Sequence, residues 1–218
     1  MQPEFWIERW QAGQIGFHLA HTNPWLERCW RLLEVAAGAR VFVPLCGKSL
    51  DLLWLRAQGH EVVGVEVSRR AVQEFFAEND LQAQIDSVQG FERWQCDGIT
   101  LLVGDYFALR AEMLGKVAAV YDRASLIALP QESRRRYVQK KRELFAAPLP
   151  TLLITLEYEQ RQMQGPPFSV DYSEVQALYG GRYSISQVVS EERLDAEPRF
   201  RSKGLTSLLE SVYLLQPL

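Results

Sequence analysis

The sequence predicts an α/β fold in which a mostly parallel sheet carries helices on both faces. Three observations support this prediction. Short apolar runs alternate with amphipathic stretches, glycine or proline separates most of them, and 47% of the residues are hydrophobic. Such alternation is typical of strand–helix–strand units. Ligands of these sheets bind beyond the carboxyl ends of the strands, so residues that directly follow strands are the functional candidates.

The first 22 residues form an aromatic segment. Trp6 and Trp10 are four residues apart and would share one face of a helix. They can cover a ligand as a lid, with Trp10 attracting a cation to its ring, or they can pack on the core. Both interpretations can hold together.

Six segments of the first half follow in order. A helix over 24–37 has Pro24 in its first turn and Gly38 after its end. A continuous apolar run over 40–47 indicates a strand buried on both faces. Ser49 is the candidate N-cap of a helix over 49–58. A strand over 61–67, a helix over 69–79 with Phe75 and Phe76 on its inner side, and a strand over 99–105 come next.

The second half continues the alternation. We expect a strand over 117–122, a helix over 131–147 that Pro148 ends, a strand over 151–158 and a short helix over 172–178. Segments 183–189 and 211–215 are expected to form a final antiparallel pair. We expect one domain over 1–218, with 1–22 as its lid.

Composition limits the class of partner. The 218 residues include 24 basic and 27 acidic side chains, a net charge of −3 that argues against a nucleic-acid partner. Three cysteines without a Cys-x-x-Cys spacing indicate neither a disulfide framework nor a zinc site, which favours a reducing cytoplasm. The sequence shows neither a signal peptide nor a run of about 20 apolar residues. We therefore expect a cytoplasmic protein with a small-molecule partner and no membrane contact.

The turn after the first strand, Leu45-Cys46-Gly47-Lys48-Ser49, is the first candidate site. Gly47 allows a tight turn and a close approach of backbone to ligand. A phosphate-binding P-loop would need another glycine where Phe42 stands, so that interpretation fails. The dinucleotide pattern Gly-x-Gly-x-x-Gly is absent as well. A plain strand-to-helix turn is the alternative.

Glu66 closes the second strand, about 20 residues after that turn, where an acid can accept hydrogen bonds from both ribose hydroxyls of a nucleoside. An exposed acid at a strand end is the alternative.

Asp105 and Tyr106 end the third strand. Asp105 could accept from an adenine amino group and Tyr106 could stack on the ring, or Asp105 could simply cap a helix. Arg123 could hold an anionic substrate, or form a surface pair with Asp122.

Two further polar groups favour structural interpretations. His18 and His21 have no third ligand nearby, so ordinary hydrogen bonding is expected and no metal site is predicted. The basic run Arg134-Arg135-Arg136 with Lys140-Lys141-Arg142 is interpreted as a solvated helix face.

Taken together, these motifs resemble the thiopurine S-methyltransferase family in its shorter bacterial form. The resemblance runs almost from end to end. It depends on Phe5-Trp6 with Trp10, Gly16-Phe17-His18, Val41 to Lys48, Gly59 to Glu66, Asp122-Arg123-Ala124, Gly165-Pro166-Pro167-Phe168 and the Arg199 region. Phe200 departs from the vertebrate pattern.

The resemblance implies the class I S-adenosylmethionine-dependent methyltransferase fold, a mostly parallel seven-stranded sheet with one antiparallel strand. It implies S-adenosylmethionine as methyl donor and an aromatic or heterocyclic thiol, such as a thiopurine, as acceptor. Selenium and tellurium compounds, and hence tellurite resistance, are also implied. Family cofactor contacts correspond to Trp10, Leu45, Glu66, Asp105, Tyr106 and Arg123, and acceptor contacts to Phe17, Arg123 and Arg199.

The expected reaction is an in-line displacement at the methyl carbon, in which the protein supplies proximity and a dry site, and no residue is assigned as a general base. We expect a monomer. Two other functions stay open: a nucleotide-dependent oxidoreductase on a Rossmann-like sheet, and a non-catalytic nucleoside-binding module.

Overall fold

The computed structural model describes residues 3–218, so Met1 and Gln2 of the predicted lid lie outside the described residues. The chain forms two compact units: the N-terminal unit, Met1–Tyr121, and the C-terminal unit, Asp122–Leu218. The single domain over 1–218 stays a prediction. Among the described residues, no helix is long and apolar enough to cross a membrane.

The N-terminal unit contains six strands in the order β3-β4-β5-β2-β1-β6. They are β1 (Arg40–Val43), β2 (Glu61–Glu66), β3 (Gln84–Val88), β4 (Phe91–Cys96), β5 (Ile99–Val103) and β6 (Val117–Arg123), whose last two residues belong to the C-terminal unit. Strands β5, β2, β1 and β6 are parallel, and β4 is antiparallel to both of its neighbours. The helices are α1 (Pro3–Gln11), α2 (Pro24–Cys29), α3 (Asp51–Ala57), α4 (Arg69–Glu78) and α5 (Ala111–Leu114), with 3-10 turns at Trp30–Leu33 and Tyr106–Ala108.

The C-terminal unit contributes three further strands, β7 (Thr151–Glu157), β8 (Tyr183–Glu192) and β9 (Leu209–Pro217), in the order β7-β9-β8. Strand β9 is antiparallel to both neighbours, and its register with β8 shifts between Gln187 and Val189. The helices are α6 (Gln131–Leu144), α7 (Tyr172–Tyr179) and α8 (Pro198–Arg201), with 3-10 turns at Leu126–Ala128 and Gln160–Gln162. The predicted final antiparallel pair is therefore confirmed, and it is longer than expected.

The α/β class and the parallel strands at the centre of the sheet confirm the predicted fold class. The strand count was wrong: the described residues form nine strands rather than seven. Two strands, β4 and β9, oppose their neighbours, where one was predicted. The hairpin of β3 and β4 was missed because β3 is exposed along nearly its whole length and lacks an apolar face.

Two helix predictions also differ from the structure. The helix expected over 24–37 ends at Cys29 and tightens into a 3-10 turn. There the indole of buried Trp30 donates to His60 Nε2 at 2.9 Å, so a tertiary contact competes with continued α-helix. Ser49 is not the N-cap of α3, which starts at Asp51 after Leu50. The Ser49 hydroxyl accepts instead from the Asp51 N–H at 3.2 Å.

A buried carboxylate connects three elements of the N-terminal unit. Asp51 accepts from the backbone N–H of Asn23 at 2.7 Å and from the hydroxyl of Tyr121 at 2.8 Å. Asn23 in turn caps α2, since its side chain accepts from the N–H groups of Trp25 and Leu26. Buried carboxylates need such partners, and here they fix the starts of α2 and α3 against β6.

The packing around Gly64 in β2 leaves no space for a side chain. A Cβ atom there would stand 2.8 Å from Cys46 Sγ and 2.8 Å from a methyl of Leu101. We expect Gly64→Ala to lower the free energy of unfolding by about 1–3 kcal/mol through overpacking. Urea titration followed by tryptophan fluorescence measures this change. Gly181→Ala is the control, because nothing lies within 4 Å of a Cβ at that position; equal stability of the two variants would contradict the prediction.

Candidate functional site

The turn after β1 has an unusual backbone. Leu45 has φ of 45° and Gly47 has φ of 55°, both in the left-handed region. A non-glycine residue held there costs on the order of 1–3 kcal/mol and persists only where surrounding contacts impose it. One such contact is the hydrogen bond from the Cys46 N–H to the Val65 carbonyl, 3.0 Å long. This hydrogen bond joins the turn to β2.

Glu66 provides the second constraint on this turn. Its carboxylate accepts from the Gly47 N–H at 2.9 Å and from the Ser68 N–H at 2.8 Å. Burial raises the pKa of Glu66, while these N–H groups and that of Val67 act in the opposite direction. The alternative of an exposed acid is wrong, because the side chain is 5% exposed. An ionised carboxylate has about four acceptor positions, so it can also take hydroxyl donors.

An aromatic cluster covers the turn. The ring of Trp10 is buried, and its Cζ2 atom lies 3.2 Å from the position that a Cβ of residue 47 would occupy. The ring of Phe17 meets Trp10 edge-on at 5.5 Å and Trp6 at 5.7 Å between centroids. Packing of Trp10 on the core is therefore confirmed, and both this contact and the φ of 55° disfavour a side chain at position 47. The lid function of 1–22 stays a prediction.

Asp105 and Tyr106 follow β5 as predicted. Asp105 caps the short 3-10 turn, since its Oδ1 accepts from the Phe107 N–H at 2.9 Å. The Tyr106 side chain is 2% exposed and meets the ring of Phe107 edge-on. The structure thus supports the capping interpretation of Asp105. The ligand contacts of both residues stay predictions.

Lys48 was missed as a structural anchor. It directly follows Gly47, yet its ammonium is directed at α4, where it lies 2.8 Å from Glu74 and 2.7 Å from Glu78. These ion pairs raise the pKa of Lys48 even though burial opposes them. The sequence signal was the acidic i, i+4 pair on α4, which places both carboxylates on one face of that helix.

In the C-terminal unit, the end of β6 contains a buried charge. Asp122 is fully buried and accepts from the Tyr137 hydroxyl at 2.8 Å and from Lys141 Nζ at 2.7 Å. The alternative of an Asp122–Arg123 surface pair is therefore wrong. Arg123, the last residue of β6, is half-buried and precedes Ala124, whose φ of 60° is again left-handed.

The basic run on α6 is not a wholly solvated face. Arg134 and Lys141 are 2% and 4% exposed. Arg134 donates to the Leu129 carbonyl at 2.9 Å and forms an ion pair with Glu174. The spacing could have revealed this arrangement, because positions 134 and 141 lie three before and four after the apolar Tyr137, on the same helix face.

Arg199 lies on α8 and is exposed. Its Nε atom is 2.8 Å from Glu197, and its guanidinium lies 4.8 Å from the ring centroid of Phe200. Phe200 belongs to a buried cluster with Tyr158, Leu194, Leu205 and Leu208. The acceptor contact of Arg199 stays a prediction. Ordinary hydrogen bonding is confirmed for His21, whose Nδ1 is 2.9 Å from the Thr22 carbonyl oxygen.

Comparison with known proteins extends over nearly the whole chain. The sequence profile of the thiopurine S-methyltransferase (TPMT) family matches residues 1–217. The chain belongs to this family. A thiopurine S-methyltransferase of Pseudomonas entomophila is 50% identical over 219 residues, with 99% of both chains covered. The relative of the same name from Pseudomonas aeruginosa is 48% identical over 216 residues, again with 99% of both chains covered.

Solved structures support the TPMT-family fold. A SAM-dependent methyltransferase from Anabaena variabilis has a TM-score of 0.64 at 13% identity, with 99% of this chain and 95% of that chain covered. The 1,6-didemethyltoxoflavin-N1-methyltransferase of Burkholderia thailandensis has a TM-score of 0.60 at 13% identity, with 98% and 87% covered. At such identities the likeness shows the methyltransferase fold alone.

Lys141 supplies the positive charge that partners Asp122. We expect Lys141→Met to lower the free energy of unfolding by about 3–5 kcal/mol, because it leaves a buried carboxylate without its cation. Lys140→Met is the matched control on the preceding residue of α6, where the ammonium is 3.9 Å from exposed Glu143. This substitution should lower the free energy of unfolding by less than about 1 kcal/mol. Chemical denaturation of both variants gives the comparison, and equal losses would refute the assignment.

Proposed function

We propose that this protein binds S-adenosylmethionine and transfers its methyl group to the sulfur of an aromatic or heterocyclic thiol such as a thiopurine. The observation that carries the proposal is the buried Glu66 carboxylate, fixed by the Gly47 N–H at the carboxyl ends of β1 and β2. Membership of the TPMT family over the full described chain supports the donor and the class of acceptor. The proposal includes a monomeric, cytoplasmic enzyme with residues 1–22 as lid.

The residues of the N-terminal unit fit a nucleoside. Glu66 is an acceptor-only group, and the ribose hydroxyls of a nucleoside are two adjacent donors. Leu45 exposes part of its surface at the left-handed turn. The buried ring of Trp10, which packs on this turn, is assigned to the sulfonium cation, because aromatic rings attract cations. Asp105 and Tyr106 are assigned to the adenine. Arg123, which belongs to the C-terminal unit, is assigned as a further cofactor contact. When bound, S-adenosylmethionine supplies an electrophilic methyl group on a good leaving group.

The reaction requires little proton transfer by the protein. Aromatic thiols ionise near neutral pH, so the acceptor can react as a thiolate without a general base. Arg123 is assigned to the acceptor sulfur, where its positive charge favours the thiolate form. Phe17 and Arg199 are assigned as further contacts of the acceptor. The remaining contribution is orientation and exclusion of water.

Cys46 lies in the same turn and does not compete as a nucleophile. Its side chain is buried, and burial followed by the charge of Glu66 raises the pKa of the thiol well above its ordinary value. The thiol form is a weak nucleophile, so methyl transfer is directed to the ionised acceptor rather than to the protein.

Replacement of the ribose-binding acid tests the donor site. We expect Glu66→Gln to weaken S-adenosylhomocysteine binding roughly 10- to 100-fold, the amount expected when hydrogen bonds to a charged group are lost. Isothermal titration calorimetry measures the affinity. Glu61→Gln is the control, because Glu61 is the first residue of β2 and is exposed beside Arg40. Unchanged affinity in the Glu66 variant would contradict the nucleoside site, and NADH binding in its place would favour an oxidoreductase.

The role of Arg123 is tested with a panel of acceptors: a thiopurine, a thiophenol, selenite and tellurite. Without the cation the bound thiol has a higher pKa, so the rising limb of the pH profile of kcat for Arg123→Ala should move to higher pH. We expect the rate of methyl transfer to fall roughly 10- to 100-fold at neutral pH. The fall should be smaller for the more acidic of the two thiols, because it ionises without help from the cation. Radiolabelled methyl transfer gives the rates. The control is Arg161→Ala, which removes an 88% exposed side chain paired with Glu159.

An unshifted pH profile in the Arg123 variant would contradict thiolate stabilisation. No transfer to any acceptor by the unsubstituted protein, together with intact S-adenosylhomocysteine binding, would favour a non-catalytic binding module. Turnover of selenite or tellurite would extend the acceptor class beyond sulfur.

A further inference from the structure

Helix α4 contains an arginine that contacts the end of α1. Arg70 donates from Nη1 to the backbone carbonyl of Gln11 at 3.0 Å. Its Nε atom donates at the same time to Glu74 Oε1 at 2.6 Å. Gln11 is the last residue of α1 and directly follows Trp10. A single guanidinium therefore joins the carboxyl end of the aromatic segment to α4.

The same glutamate continues the connection to the turn. Glu74 Oε2 accepts from Lys48 Nζ at 2.8 Å, while Oε1 is used by Arg70. The hydrogen bonds from Lys48 and Arg70 lower the pKa of Glu74, which is the mark of a carboxylate stabilised in its charged form by both cations. Lys48 directly follows Gly47, the residue on which the Trp10 ring packs. These contacts connect α1 to α4 through Arg70, α4 to the turn through Lys48, and the turn back to α1 through Trp10.

We propose that Arg70 is a positioning residue for cofactor retention, which holds α1 against α4 so that Trp10 stays on the Gly47 turn. This inference rests on the proposed function, because it needs a nucleoside bound at that turn. The residue itself is half-exposed, with 51% side-chain exposure, and has no assigned contact with either substrate. Its loss should leave the turn intact through Glu66 and Lys48, and should ease the departure of α1.

The neighbouring arginine provides a matched control. Arg69 has the same 51% side-chain exposure and also pairs with a glutamate, Glu92, at 2.9 Å. That contact lies between α4 and β4 and involves neither α1 nor the turn. Removal of either arginine takes one positive charge from the first turn of α4, so a difference between them reports on the contacts of Arg70 with Gln11 and Glu74 rather than on charge alone.

The experiment measures the dissociation rate of radiolabelled S-adenosylhomocysteine, chased with excess unlabelled ligand. We expect Arg70→Ala to speed dissociation about three- to tenfold, in line with the loss of a partly exposed ion pair and a charge-assisted hydrogen bond. Arg69→Ala should stay within about twofold of the unsubstituted protein. With substrates, Arg70→Ala should raise KM for the donor and leave kcat unchanged. The ligand-free thermal midpoints of the two variants should agree.

Arg70→Lys separates positioning from charge. A lysine restores the ion pair with Glu74 but lacks the planar fork that contacts Glu74 and Gln11 together. Fast dissociation in the lysine variant would support the inference, and full restoration would overturn it in favour of a simple charge effect. Equal rates for Arg70→Ala and Arg69→Ala would overturn it as well. Failure of the unsubstituted protein to bind S-adenosylhomocysteine would instead refute the proposed function, and the inference with it.

Discussion

The hydrogen bonds between the Glu66 carboxylate and the N–H groups of Gly47 and Ser68 are the constraint on which the site depends. They offset the burial of a charge and join the turn that contains Leu45, whose φ is left-handed, to the end of β2. The desolvation cost of this carboxylate is met during folding rather than on binding. In the proposed function, the ribose meets an acceptor that is already oriented, which is preorganisation.

The positions of the candidate residues in the fold could be predicted because parallel strands bring their carboxyl ends to one edge of a sheet. Glu66 ends an apolar strand, and Leu45 and Asp105 each lie two residues after one, so small errors in the predicted strand boundaries did not affect their placement. Trp10 was identified by its spacing from Trp6, and its contact with the Gly47 turn leaves little room for a side chain at position 47. These features depend on local pattern and on one general rule of α/β sheets.

The features that could not be predicted arise from long-range pairing. The spacing of Lys141 from Tyr137 places it on the apolar face of α6, but nothing in the sequence identifies its partner as Asp122, 19 residues earlier. The helix after Pro24 gave no sign of ending at Cys29, because the cause is the contact of Trp30 with His60. Lys48 resembles a ligand-binding lysine by position and is instead neutralised from α4.

The two outermost strands, β3 and β8, share a property that concerns the behaviour of the protein at high concentration. An unpaired strand edge can recruit a strand from another molecule, and charged side chains or irregular register prevent this. Strand β3 places Asp86 in an ion pair with Arg93, and β8 breaks its register near Val188 and ends in Glu191 and Glu192. Each rim of the sheet thus discourages intermolecular pairing, which favours solubility without any contribution to catalysis.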